Sequence, residues 1–359
     1  MLSQLYPPDL LQRLLLPRAE WRPFPPAGDR AAWEALPEPA RRAHLERGER
    51  LLGHAWPALP AALFLEFARN GNRRRYEAPR DARRAALCDL VVAECMEGRG
   101  RFLDDIVNGI WTTCEETYWG VPAHVNMQRA GRGLPDAAEP TVDLFAAETG
   151  ALLAWTLYLL GPELERVSPL VGPRIAGEVE RRILAPCRTR DDFWWMGFDG
   201  RRVNNWNPWV NSNWLTCALL LEADEPRRVA TVARILASLD RFVDPYPADG
   251  GCDECPGYWG RAGASLSDCL ELLHSASQRR IDVYDQPPIA DMGRFIYRVH
   301  VAGPYYVNFA DASALVSPNA SLVYRYGRRI GDEAMAAFGA YLARRQDLLN
   351  RGAGDSIGR

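Results

Sequence analysis

The sequence predicts an all-α protein, on three observations. Segments with the apolar spacing of helices follow one another through most of the 359 residues. No stretch alternates apolar and polar residues for long enough to make a sheet. The breaks between segments carry turn chemistry, at Gly161-Pro162, Gly172-Pro173, Asp199-Gly200, Asp244-Pro245, Asp249-Gly250 and Gly303-Pro304.

Taken in order, a Pro-rich lead fills residues 1–30, with its prolines running from Pro7 to Pro26. Apolar periodicity then predicts helices over 31–54, 60–70, 80–97, 102–118, 142–160, 171–185, 213–223, 225–243, 263–277, 288–301 and 332–350. About ten to twelve helices joined by loops of unequal length suit an incomplete α/α toroid, in which helical hairpins ring a central cleft. The toroid domain covers 1–350, and the Gly-rich tail 351–359 reads as a linker. Gly352-Ala353-Gly354 imitates part of a dinucleotide fingerprint without the strand and helix that give one its meaning.

Composition narrows the chemistry. A net charge of -3 gives no global field for nucleic acid, and the scattered Arg doublets lack the aromatic interleaving of a nucleic-acid groove. All 43 basic residues are Arg, which excludes a Schiff-base lysine and a P-loop lysine. No apolar run reaches transmembrane length and the first residues lack the layout of a secretory signal. The expectation is therefore a cytoplasmic chain with no membrane partner, or a periplasmic one if a leader has been trimmed. The eight Cys are scattered, several in apolar helical patterns, as free thiols in a reducing compartment are. Cys252-Asp253-Glu254-Cys255 has C-x-x-C spacing but no second pair and no preceding strand, so no metal or redox role is assigned to it. No cofactor is expected in this chain.

Three constellations carry possible chemistry. In the first, Asn204-Asn205-Trp206-Asn207-Pro208-Trp209-Val210-Asn211-Ser212-Asn213-Trp214, neutral amides can grip a carboxylate and offset its charge while the rings face a sugar. Some of these amides also suit capping and turns around Pro208. The second is Tyr258 beside Trp259 and Arg261, where a cation aimed at the phenol oxygen favours a phenolate able to take and return protons. A core Tyr with a satisfied hydroxyl is the plainer alternative. In the third, residues 110–124, Glu115, Glu116, Trp119 and His124 follow a helix end; a core helix with a solvated Glu pair is the alternative there.

The blocks Trp111-Thr112-Thr113-Cys114-Glu115-Glu116-Thr117-Tyr118-Trp119-Gly120-Val121-Pro122-Ala123-His124, Asp143-Leu144-Phe145-Ala146-Ala147-Glu148-Thr149, 204–214 and 249–265 resemble the heparinase II/III-like proteins. The resemblance runs from about residue 50 to the end. It implies an N-terminal α/α toroid, a C-terminal β-sandwich domain absent from this chain, and lyase action on uronic-acid glycans by β-elimination. A metal in that further domain fits the same resemblance. Tyr258 matches the family's catalytic Tyr. Asn205 looks like the carboxylate neutraliser, with Asn204 the substitute if the register shifts by one, and Trp206 stands where relatives carry His. Arg261, Trp259, Glu116, Trp119, His124, Trp206, Asn207 and Asn211 then line the cleft for an acidic poly- or oligosaccharide. Two alternatives stand beside this reading: a glycoside hydrolase using Asp253 or Glu254 with Glu116, and a non-catalytic carbohydrate-binding domain.

Overall fold

The computed structural model describes residues 1–352 and Ile357. Helices take 62% of the chain and strands 2%, so the class is all-α. Among the described residues twelve helices reach nine residues or more: Glu38–Glu49, Ala61–Asn70, Arg74–Glu97, Leu103–Cys114, Leu144–Val167, Val171–Val179, Trp206–Leu221, Glu225–Val243, Gly263–Ala276, Pro287–Arg298, Ala320–Arg329 and Glu333–Arg345. A small hairpin, His300–Ala302 with Tyr305–Tyr306, turns at Gly303-Pro304. The chain divides into two compact units. One comprises Met1–Pro23 with Asp191–Leu349, and the other Phe24–Arg190 with the described residues after Leu349.

In the first unit the Trp206–Leu221 helix is buried almost all round and packs on Glu225–Val243 and Gly263–Ala276. The short helices Leu2–Leu5 and Pro8–Leu14 pack on Glu225–Val243, so the Pro-rich lead contains helices that its prolines concealed. Pro8 opens the second of them, at a position where a helix has no N–H to satisfy. Ala320–Arg329, also unforeseen, pairs with Glu333–Arg345 at very close range. A Cβ on Gly339 would stand 2.4 Å from the Tyr324 backbone nitrogen, and one on Gly327 2.5 Å from that of Ala336.

In the second unit Arg74–Glu97 and Leu144–Val167 both run through a proline, Pro79 and Pro162. The first begins earlier than the sequence suggests, and the second passes Gly161-Pro162 instead of breaking there. Each proline lies within two turns of a helix end, where a lost backbone bond costs least. Val171–Val179 continues through the π-turn Glu180–Leu184 into Ala185–Thr189. By length and composition Leu144–Val167 could cross a membrane, contrary to the reading that no run is long enough; 67% of its most apolar window is buried inside the unit, the pattern of a core helix. Of the tail read as a linker, Arg351 closes a short helix, Leu348–Arg351, while 353–356 and 358–359 lie outside the described residues.

Candidate functional site

The unit of 1–23 and 191–349 holds the first two constellations. The helix predicted to begin near Asn213 begins at Trp206, because Pro208 is its third residue and needs no hydrogen-bond partner there. Asn204 closes the turn before it: its Oδ1 accepts the Trp206 N–H at 3.1 Å, and its Nδ2 donates to Glu254 Oε1 at 2.9 Å. Farther along the same loop, the Arg261 guanidinium lies over the Trp209 ring, 4.1 Å from its centroid. These two contacts clasp the loop from Glu254 to Arg261 onto the start of the helix.

Tyr258 lies between the clasps on the loop, and Asn205 and Trp206 lie between them on the helix side. Asn205 is 5% exposed, and its amide has no partner among the described residues yet keeps an opening to solvent. Tyr258 is 37% exposed, and its hydroxyl also has no partner among the described residues. A core Tyr with a satisfied hydroxyl is thereby ruled out. Trp206, half-buried, packs on Trp194 with centroids 5.0 Å apart. Cys255, at φ 87 and ψ 173, turns the chain into the one-turn helix Pro256–Trp259 that carries Tyr258.

Three residues expected in the cleft serve packing instead. Asn207 is fully enclosed, its Nδ2 donating to the carbonyls of Trp195 and Ser238, both at 2.9 Å. Asn211 is equally enclosed, its Nδ2 donating to Ser238 Oγ at 2.9 Å. Both face inward because their positions on the helix point at the Glu225–Val243 helix, where Ser238 is the one hydroxyl they share. Trp259 is 1% exposed, and its Nε1 donates to the Met292 carbonyl at 2.7 Å.

Glu254 is half-buried, and its carboxyl is pushed up by burial and by the charges of Asp253 and Asp311, against the Asn204 hydrogen bond. Asp253 is exposed and paired with Arg202 at 2.9 Å.

The third constellation belongs to the other unit and is described by itself. The predicted helix 102–118 ends at Cys114, and the chain turns through Glu116 to Trp119. Glu116 is 7% exposed; Arg84 grips it through two bonds of 2.5 Å and Arg83 Nη1 adds one of 2.8 Å. Burial alone would raise its carboxyl, but the two guanidiniums outweigh that and hold it below the usual carboxylate range. The solvated Glu pair of the plainer alternative is thus half right: Glu115 is exposed, Glu116 is not. Trp119 is 1% exposed, donates to the Thr113 carbonyl at 2.8 Å and is covered by Arg182, 4.8 Å from its ring centroid. It cannot offer a face to a sugar. His124 Nδ1 pairs with Asp143 Oδ2 at 2.8 Å, and its ring stacks on Phe145.

No protein-family model matches the chain, and no curated protein matches it. Sequence reasoning missed Arg83 and Arg84, whose doublet in a helical pattern reads as a solvated face. It also missed Ser238, a hydroxyl on the buried face of an amphipathic helix that carries no local signal. Asp143 was legible as a cap: its Oδ1 accepts the Ala146 N–H at 2.7 Å, opening Leu144–Val167. Among the described residues no group of three or more His, Cys, Asp or Glu comes together as metal ligands do.

Proposed function

We propose that the chain is a lyase-type domain resembling the heparinase II/III-like proteins, its helices arranged as an incomplete α/α toroid, and that it cleaves an acidic poly- or oligosaccharide by β-elimination. The observation that carries this reading is the clasped pair. Asn205 and Tyr258 each hold out a polar end with no partner among the described residues, from segments tied together on both sides of them. A buried polar group is ordinarily paired, so the idle Asn205 amide favours a ligand, and the exposed Tyr258 hydroxyl on the clasped loop is available to the same one. The toroid is supported by helix pairs joined through short loops: Trp206–Leu221 with Glu225–Val243, and Ala320–Arg329 with Glu333–Arg345.

In this mechanism the Asn205 amide donates to the uronate carboxylate and offsets the charge that builds as the C5–H bond breaks. Tyr258 enters this step as its phenolate, and the phenolate oxygen accepts that proton. The electron pair left at C5 forms the C4–C5 double bond, the C4–O bond breaks, and Tyr258 returns the proton to the leaving oxygen. Bonds and charges balance without an oxidant or a water. The hydrolase alternative pairs Asp253 or Glu254 with Glu116 as acid and base; two guanidiniums hold the Glu116 carboxyl low, which disfavours it as the proton donor of that pair.

Supplied with uronate polymers, the protein is expected to generate the ultraviolet absorbance of an unsaturated uronide. Tyr258→Phe should lower that rate by roughly a hundred- to ten-thousandfold, and Asn205→Ala by about a hundred- to a thousandfold, with far-ultraviolet circular dichroism unchanged. Saturated products would point to hydrolysis instead. Binding of uronate oligomers without any turnover would identify a non-catalytic carbohydrate-binding domain.

A further inference from the structure

The unit of 24–190 contains a cavity of about 350 Å³ beside the turn of residues 115–118. One wall is apolar and aromatic, with Phe64, Tyr76 and Tyr118 packed edge to face. Arg83, Thr112 and Thr117 also line it, together with Glu115 and Glu116. Arg83 is 7% exposed, and two of its three nitrogens are spoken for: Nε donates to the Pro57 carbonyl at 2.7 Å and Nη1 to Glu116 at 2.8 Å. Nη2 has no partner among the described residues and is not sealed from the open space.

Charge points the same way. Arg84 satisfies both oxygens of Glu116, so the trio of buried Arg83 and Glu116 with half-buried Arg84 keeps one positive charge in excess. A buried guanidinium with an idle nitrogen is a strong donor for a carboxylate, and desolvation makes the absence of a counter-charge costly. Glu115 also lines the cavity but is exposed, so water screens its charge. The volume falls in the range of small-molecule sites and admits a single ring with its substituents.

We propose that this cavity is a binding site for a ring-bearing carboxylate, with the carboxylate on Arg83 Nη2 and the ring against Tyr76, Phe64 and Tyr118. A uronic acid monosaccharide and a simple cyclic or aromatic acid share that chemistry. The proposal does not rest on the elimination reading, whose residues Tyr258 and Asn205 belong to the other unit.

Isothermal titration of the whole chain, with no polymer present, tests it. One arm uses glucuronate and galacturonate, the other benzoate and cyclohexanecarboxylate, and the methyl ester of glucuronate and benzamide are the uncharged controls. Acids from at least one arm should bind, the controls should not, and the binding arm names the source. Arg83→Gln should weaken binding by roughly ten- to a hundredfold, as loss of a charge-assisted bond does. Because that change also strips Glu116 of a partner, Leu134→Trp is the second variant. Leu134 lines the cavity and is 47% exposed, so the added ring should block entry without disturbing the core. Failure of every acid to bind at about 10 mM, equal binding of the uncharged controls, or affinity unchanged by Leu134→Trp would each overturn the proposal. Repeating the titration with Tyr258→Phe keeps the outcome separate from that of the lyase assay.

Discussion

At the scale of single residues, Cys255 sits where a side chain is a burden. Its φ of 87 lies in the region that glycine adopts freely and other residues rarely do. Strain of this kind costs roughly 1–3 kcal/mol, against about 1 kcal/mol for burying a small thiol. Cys255→Gly should therefore leave the thermal midpoint unchanged or raise it. Cys252→Gly, at an equally buried position with no such strain, should lower it. Two carboxyls set opposite pH dependences. The fold holds Glu116 below its ordinary 4.5, so its contribution is present above pH 4.5 and is lost as pH falls through the lower folded value. Glu254 is held above 4.5, so its contribution is present below that pH and is lost as pH rises through the higher folded value. Urea midpoints measured across this range should show Glu116→Gln flattening the acid limb, and Glu254→Gln removing the decline toward neutral pH. The exposure of Tyr258 and the unpaired amide of Asn205 lie in segments that the sequence singles out by their density of amides and rings. The inward amides Asn207 and Asn211 have the same composition, and their shared partner Ser238 is reached only in three dimensions.

At the scale of elements, legibility followed capping chemistry. Glu225–Val243 matches its predicted bounds because Asp224 caps the first turn, bonding the Arg227 N–H at 2.8 Å, and Asp244-Pro245 ends it. Trp206–Leu221 was misplaced because Asn and Pro, read as loop residues, occupy its opening turn. Ala320–Arg329 was missed because its apolar stripe is short and flanked by Arg. Its contact with Glu333–Arg345 makes a clear prediction. In an open helix Gly→Ala gains about 1 kcal/mol, yet at Gly339 the new methyl would meet the Tyr324 backbone at 2.4 Å. Gly339→Ala should therefore destabilise by roughly 1–3 kcal/mol, read as a lower denaturant midpoint. Gly331→Ala, with open space around it, serves as a control for backbone strain alone, since its φ is 66. Ser238→Ala should cost about 1–3 kcal/mol by leaving the two inward amides short of a partner.

At the scale of the whole molecule, the sequence presents residues 1–350 as one run of helices, and nothing local marks the division into two units. The contacts that close the first unit join residues far apart in the chain. Ser3 N–H donates to Asp240 Oδ2 at 3.0 Å, Leu16 N–H to the Ala276 carbonyl at 2.8 Å, and Trp21 Nε1 to Ser275 Oγ at 3.0 Å. Hydrophobic periodicity carries no record of such pairings, because it is a property of one helix at a time. A fragment of residues 24–190 should fold to a helical state with cooperative thermal unfolding, since its own helices close its core. Residues 191–349 alone should not, because removal of 1–23 uncovers one face of Glu225–Val243. Fusing 1–23 back onto that fragment should restore cooperative unfolding. If 191–349 melts as sharply without 1–23 as with it, the lead is dispensable.

That interrupted unit imposes an order in time. A chain emerging from the ribosome delivers Leu2 to Trp21 well before their seats at Asp240, Ser275 and Ala276, which arrive only after all of 24–190. The entropy of so long a loop grows only slowly, by about 0.6 kcal/mol per doubling, so the delay falls on the rate of folding more than on the final stability. Until then the leading residues must stay clear of the helices forming behind them, and prolines spaced from Pro7 to Pro26 keep such a stretch from joining a neighbour's helix. Residues 2–21 are made before their seats and are fastened only after them.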